Sequence, residues 1–279
     1  MRTASPRKLV LALALAAAAS TARADSDRFE KAYSLDGVSR VRVENVNGSV
    51  EVKTWEKNYI RLTASKSGTA WAMENTRVQV TQPGPEIRIQ TIAPRSTHLF
   101  SFLFGRHRVA RIEYELLAPV GTPLSLETVN GSVRVEGRRA EVRAETVNGS
   151  VDLRDILGGP VRAETVNGRI TLACESEIEE THLETVNGSI EATFPAAASI
   201  RYRLSSINGR LEAADRESRG HAFGGRKLEG EVNGGRRLVR AETVNGGIRI
   251  LLSGGPAPAP VPAASSPARD HGSDTDDSD

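Results

Sequence analysis

The stretch Glu145-Thr146-Val147-Asn148-Gly149-Ser150-Val151 decides the fold, because the chain repeats it with little change. Glu-Thr-Val-Asn-Gly begins at Glu127, Glu145, Glu164, Glu184 and Glu242. With the looser copies, Asn-Gly pairs stand at Asn47-Gly48, Asn130-Gly131, Asn148-Gly149, Asn167-Gly168, Asn187-Gly188, Asn208-Gly209, Asn233-Gly234 and Asn245-Gly246. From Asn130 to Asn208 the intervals are 18, 19, 20 and 21 residues. A fixed phrase at a nearly fixed period marks one supersecondary unit used repeatedly.

Between the Asn-Gly pairs the pattern alternates, as in Val41-Arg42-Val43-Glu44, Ile87-Arg88-Ile89-Gln90, Val133-Arg134-Val135-Glu136 and Ile248-Arg249-Ile250-Leu251. Alternation over a few residues, ended by Gly, Asn or Pro, is the signature of strands with one buried face. The chain therefore reads as all-β. Each unit holds two strand-sized runs: Val133 to Val135 follows one Asn-Gly and Glu141 to Thr146 leads into the next. Glu136-Gly137-Arg138-Arg139 is expected to supply the second turn.

Parity then sorts the faces. Val142, Ala144 and Thr146 share one side with Val133, Val135, Val151 and Leu153, whereas Arg143 and Glu145 take the other. The expected core is aliphatic and thin, since aromatic residues make up only 4% of the chain. It contains a file of Thr128, Thr146, Thr165, Thr185 and Thr243, with Ser206 in the same repeat position. Their hydroxyls need partners, either one another or nearby turn backbone.

Asn and Gly both tolerate positive φ, which tight turns demand. Two architectures use such corners. In a meander, Asn-Gly would be a hairpin turn. In a single β-solenoid of two-strand coils, each Asn-Gly would lie about 4.8 Å above the last. Near-identity of the phrase favours the solenoid, because stacked positions share one environment.

Residues 25–253 are expected to form this domain, with irregular N-terminal coils and a cap over 25–123 and regular repeats over 124–253. Val41 to Val52 reads as the initial coil, followed by strand-like runs at Ile60 to Ala64, Val78 to Thr81, Glu86 to Thr91 and Val109 to Leu117. Gly247 to Leu252 is expected to be the C-terminal edge. Beyond it, 254–279 is rich in Pro and Ala, then acidic, a composition that cannot build a core.

The first 24 residues have the form of a signal peptide. Arg2, Arg7 and Lys8 precede an apolar run from Leu9 to Ala19, and Ala22-Arg23-Ala24 supplies small residues before a cut at Asp25. The expected product is exported, to the periplasm, the cell surface or the extracellular medium. Losing Arg2, Arg7, Lys8 and Arg23 from 37 basic residues leaves 33 against 35 acidic ones, a net charge of −2. That balance leaves no electrostatic footprint for nucleic acid. Cys174 is the only cysteine, so no intramolecular disulfide is possible, and its strand-like setting suits a small buried side chain better than a reactive thiol.

Multiple copies of Thr-Val-Asn-Gly-Ser-Val behind a signal peptide resemble the DUF4097 family of bacterial β-strand-repeat proteins, which is related to toast-rack domains. Arg111-Ile-Glu-Tyr-Glu-Leu-Leu-Ala-Pro119 and Thr243-Val-Asn-Gly-Gly-Ile-Arg-Ile250 extend the match to roughly residues 29–252. The resemblance implies a right-handed β-helix-like fold and an adhesin-like role at the cell envelope. It brings no catalytic residues with it.

Chemical signatures are sparse. Neither a Gly-x-Ser-x-Gly elbow, a His-Glu-x-x-His pair nor a phosphate loop occurs. No cofactor, metal or catalytic residue is expected, although a polysaccharide-acting enzyme on a β-helix and an accessory of envelope-stress sensing stand as alternatives. Glu127, Glu145, Glu164 and Glu184 should form an outward column screened by Arg143, Arg162 and Arg240; calcium binding there is the competing reading. Asn-Gly-Ser at four corners matches a glycosylation acceptor, but turn geometry accounts for all eight. His98 and His107 make an incomplete metal site. The candidate interaction segment is Phe100, Phe102 and Phe104 with Arg106 and Arg108: either a buried cap or an apolar tip for an envelope protein, glycan or membrane surface.

Overall fold

Alternating residues pair into strands in the computed structural model, which describes residues 28–93, 109–213, 216–217 and 225–253. The chain opens with β1 (Arg28–Ser34), then passes from β2 (Arg40–Glu44) to β3 (Val50–Trp55) through the first Asn-Gly. β4 (Tyr59–Ser67) leads through a short helix, α1 (Ala70–Asn75), to β5 (Arg77–Thr81), β6 (Glu86–Ile92) and β7 (Arg111–Pro119). The regular units follow as strand pairs: β8 (Leu124–Asn130) with β9 (Val133–Arg138), β10 (Val142–Asn148) with β11 (Val151–Ile156), β12 (Val161–Asn167) with β13 (Ile170–Cys174), β14 (Thr181–Asn187) with β15 (Ile190–Pro195), and β16 (Ile200–Asn208) with β17 (Leu211–Ala213). β18 (Arg216–Glu217) and β19 (Arg226–Val232) precede the last pair, β20 (Arg237–Asn245) and β21 (Ile248–Ser253).

Two parallel-rich sheets result, and neither closes into a barrel. One has the order β1-β4-β7-β3-β9-β11-β13-β15-β21-β17-β18 and the other β19-β16-β20-β14-β12-β10-β8-β2-β6-β5. Like positions pair with like: Glu145 lies opposite Glu127 and Glu164, and Thr146 opposite Thr128 and Thr165. A one-residue slip would turn every buried side chain outward, so the aliphatic alternation fixes this register. The inward residues form one continuous core that includes Val133, Val135, Val142, Ala144, Leu153, Ile170 and Leu172. Its few aromatics include Tyr114, Phe194 and Tyr202, all fully buried. Cys174 is buried in the same core, and loss of solvation, with Glu175 adding to it, pushes its thiol up to about 12.

The N-terminal end departs from the repeat. β1 runs antiparallel to β4, β4 antiparallel to β7, and β5 antiparallel to β6. These strands lie outside the β2–β3 unit, so that unit is not the end of the stack. α1 begins at Thr69, whose hydroxyl accepts from Ala72 N–H, and Lys66 Nζ caps its far end by donating to the Met73 and Thr76 carbonyls.

Three expectations need correction. β21 is not an edge: it pairs with β15 on one side and β17 on the other, and β20 likewise separates β14 from β16. The last unit in sequence therefore sits between the two before it. Backbone hydrogen bonding explains how this is tolerated, since every unit offers the same ladder to whichever neighbour arrives. Next, Glu136-Gly137-Arg138-Arg139 is not all turn, because β9 continues to Arg138, which is fully buried. Finally, five of the eight Asn-Gly corners do not rest on positive φ, whereas Gly48 (φ 120°), Gly246 (φ 157°) and the Asn233-Gly234 pair do adopt it. Among the described non-glycine residues only Asp155 and Asn233 adopt it, and Gly131, Gly149, Gly168, Gly188 and Gly209 do not.

Candidate functional site

The corners are held by three interlocking contacts. Asn148 Nδ2 donates to Asn130 Oδ1 at 2.9 Å, Asn167 to Asn148 at 2.9 Å and Asn187 to Asn167 at 2.8 Å. Asn245 donates to Asn187 and Asn208 to Asn245, so this asparagine ladder follows the spatial order of the units. Beneath it, Thr146 Oγ1 donates to the Gly131 carbonyl, Thr165 to Gly149, Thr185 to Gly168, Thr243 to Gly188 and Ser206 to Gly246. The threonine hydroxyls thus find turn backbone of the adjacent unit rather than one another. Glycine is required by proximity: a Cβ on Gly149 would lie 2.0 Å from the Gly131 carbonyl oxygen, and one on Gly168 would lie 1.9 Å from that of Gly149.

The Asn-Gly residues of the sequence reading therefore separate. Asn47, Asn130, Asn148, Asn167, Asn187, Asn208 and Asn245 share one column, although Asn47 turns its amide to the Val109 carbonyl. Asn233-Gly234 is a separate turn between β19 and β20, with Asn233 at φ 50° and Gly234 at φ 86°. The candidate segment Phe100, Phe102, Phe104, Arg106 and Arg108 lies outside the described residues, as do His98 and His107.

Beside the corner, the outer face of the β8–β20 sheet is built from columns. Glu44, Glu127, Glu145, Glu164, Glu184 and Glu242 stand in register. Arginines two residues earlier answer most of them: Arg143 pairs with Glu145, Arg162 with Glu164, and Arg240 with Glu242 at 2.8 Å. Arg42 bridges Glu44 and Glu127, each at 2.6 Å. Burial pulls Arg42 down, but the two carboxylates outweigh it and hold its pKa above the usual arginine value. Each such pair is partly exposed and contributes about 0–1 kcal/mol, so the ladder screens charge more than it stabilises. On β14 the arginine position is occupied by His182, whose Nε2 lies 3.4 Å from Glu184.

Next to the Glu column stands an apolar one that parity implies but that the sequence reading passed over. Val129, Val147, Val166, Val186 and Ile207 each precede a corner Asn and point outward, and Val46 and Val244 hold the same repeat position; Val166 is 39% and Ile207 57% exposed. A shallow groove of about 580 Å3 follows these Glu, Thr and Val positions from Glu44 to Val186. On the opposite sheet, Gly247 leaves a dent of about 350 Å3 between Arg169, Arg210 and Arg249, with Glu191 and Glu212 beside them.

The family model described as Toastrack DUF4097 matches residues 31–251. The chain belongs to this toast-rack family. Solved structures show a looser likeness. A candidate cell adhesion protein from Clostridium sporogenes matches with TM-score 0.42 and 11% identity, covering 82% of this chain and 100% of its own. A candidate adhesin from Bacteroides fragilis gives 0.40 and 8%, covering 80% and 97%. A candidate lipid-binding protein from Parabacteroides distasonis gives 0.24 and 10%, covering 80% and 96%. No curated protein matches this toast-rack chain.

Proposed function

We propose that this toast-rack protein is an exported, non-enzymatic binding module that acts at the cell envelope in an adhesin-like or scaffolding role. The observation that carries this is the outer face of the β8–β20 sheet, where Glu, Val and Asn recur at strand spacing from unit to unit. A surface that offers the same contact several times suits a repetitive envelope ligand, a glycan or a protein array, because weak contacts multiply through effective concentration. The carboxylates on it belong to a ladder answered mostly by arginines, an arrangement suited to screening rather than to acid–base work. The signal-peptide pattern of residues 1–24 supports export. Winding of the units as one right-handed β-solenoid is part of the same proposal, supported by the in-register parallel pairing of like positions.

The test uses protein starting at Asp25 and envelope fractions. Val147→Lys with Val166→Lys should abolish co-sedimentation while the β-sheet circular dichroism is retained. Unchanged co-sedimentation by a folded double variant would refute use of this face. Release of reducing ends or unsaturated products from a glycan panel would overturn the non-enzymatic reading.

A further inference from the structure

Along the glutamate column, β8 has Ser125 in the arginine position and β16 has Ser205 in the glutamate position, and β14 alone puts a histidine before its glutamate. Val142-Arg143-Ala144-Glu145, Val161-Arg162-Ala163-Glu164 and Val239-Arg240-Ala241-Glu242 are near-copies, but β14 reads Thr181-His182-Leu183-Glu184. His182 lies in register between Arg162 and Arg240. Replacing a permanent cation by an imidazole does two things to this face. It leaves Glu184 without the guanidinium that closes Glu145, Glu164 and Glu242, and it puts a nitrogen lone pair among carboxylate oxygens.

We propose that Glu164, His182 and Glu184 form a binding site for a divalent transition metal of the zinc class. One ligand atom from each of the three lies within 4.8 Å of the other two. His182 Nε2 and the Glu184 oxygen are 3.4 Å apart. With metal–ligand bonds of about 2.0–2.2 Å, a tetrahedron has edges of roughly 3.4 Å, so this pair already has the separation that coordination needs. The Glu164 ligand oxygen lies within 4.8 Å of the other two, so coordination asks this side chain to move toward the pair. Mixed imidazole and carboxylate donors suit zinc, whereas calcium and magnesium prefer oxygen alone. Three protein ligands on an open sheet face leave the fourth position to water or to a donor from another molecule, so the site would tie metal to the binding face.

Arg162 is the competitor, because it pairs with Glu164 and carries like charge to the metal. The pair is partly exposed, the guanidinium keeps its solvent access, and a carboxylate has a second oxygen to offer, so that competition lowers affinity without closing the site. Arg240 is occupied by Glu242.

The probe is Zn2+ alone, titrated calorimetrically into protein starting at Asp25. One site of micromolar affinity is expected, with a rise in the thermal midpoint at saturating metal. His182→Arg restores the residue used by the neighbouring units, so it should fold and lose affinity by roughly tenfold or more. Glu184→Gln, which keeps the side-chain shape, should lose a similar factor. Absence of binding by the parent protein would overturn the site. So would equal affinity in His182→Arg, which would place the metal on one of the other histidines, His98, His107, His221 or His271.

Discussion

The corner column and the turn between β19 and β20 use the same dipeptide for opposite physical reasons. At Asn148-Gly149 the asparagine is a link in a side-chain ladder, and the glycine is there because the neighbouring unit's backbone would occupy its Cβ. At Asn233-Gly234 both residues take positive φ, and space is open: the nearest atom to a Cβ on Gly234 is Ser199 Oγ at 3.9 Å. Asn233 spends its amide on the Ala196 and Ala198 carbonyls, tying down the loop before β16 instead of a neighbouring corner. Identical letters therefore report a packing constraint in one region and a dihedral constraint in the other.

Substitutions can separate the two. Gly149→Ala drives a methyl into a backbone carbonyl that cannot yield without breaking the ladder, and should cost about 4 kcal/mol or prevent folding. Gly234→Ala meets only the left-handed backbone penalty of about 1–2 kcal/mol. Urea midpoints compare them directly, and similar losses would erase the distinction. A smaller effect is expected at Thr165→Val, which keeps the shape but strips the Gly149 carbonyl of its hydroxyl partner, for about 1–2 kcal/mol in the same assay. Smallest should be Asn167→Ala, at about 1 kcal/mol, because its bonds to Asn148 and Asn187 lie at an exposed corner where water can replace them. A loss at Asn167 larger than at Thr165 would mean that the ladder, not the threonine file, secures the corner.

Much of the fold was legible because alternation is local. The strands of the repeats, their buried faces, the threonine file and the outward Glu column follow from parity within a few residues, and the family follows from the phrase itself; β1, exposed along nearly its whole length, carries no such signal. What escaped is what depends on distant chain. Nothing in Gly149 announces that the Gly131 carbonyl will press against it; only stacking reveals it. The order of the units was equally hidden, since copies that share one phrase offer identical ladders and cannot number themselves. Arg138 looked like turn chemistry beside Gly137, yet it is buried and donates to the Ala118 and Thr122 carbonyls, partners supplied by the segment before β8. Burial without a carboxylate pulls its pKa down to about 10. The His182 break, by contrast, was readable by aligning the copies. Its meaning needed the register that brings Glu164 and Glu184 alongside.

Because β20 lies between β14 and β16, position in space and position in sequence part company here, and a disulfide can tell them apart. In a Cys174→Ser background, Glu184→Cys with Glu242→Cys places two thiols at paired positions on adjacent strands, whereas Glu184→Cys with Ser205→Cys leaves a whole strand between them. Disulfides need Cα atoms about 4.4–6.8 Å apart. Mild oxidation of the folded protein should close the first pair and leave the second open; closure of the second pair instead would show units stacked in chain order and contradict the intercalated last unit.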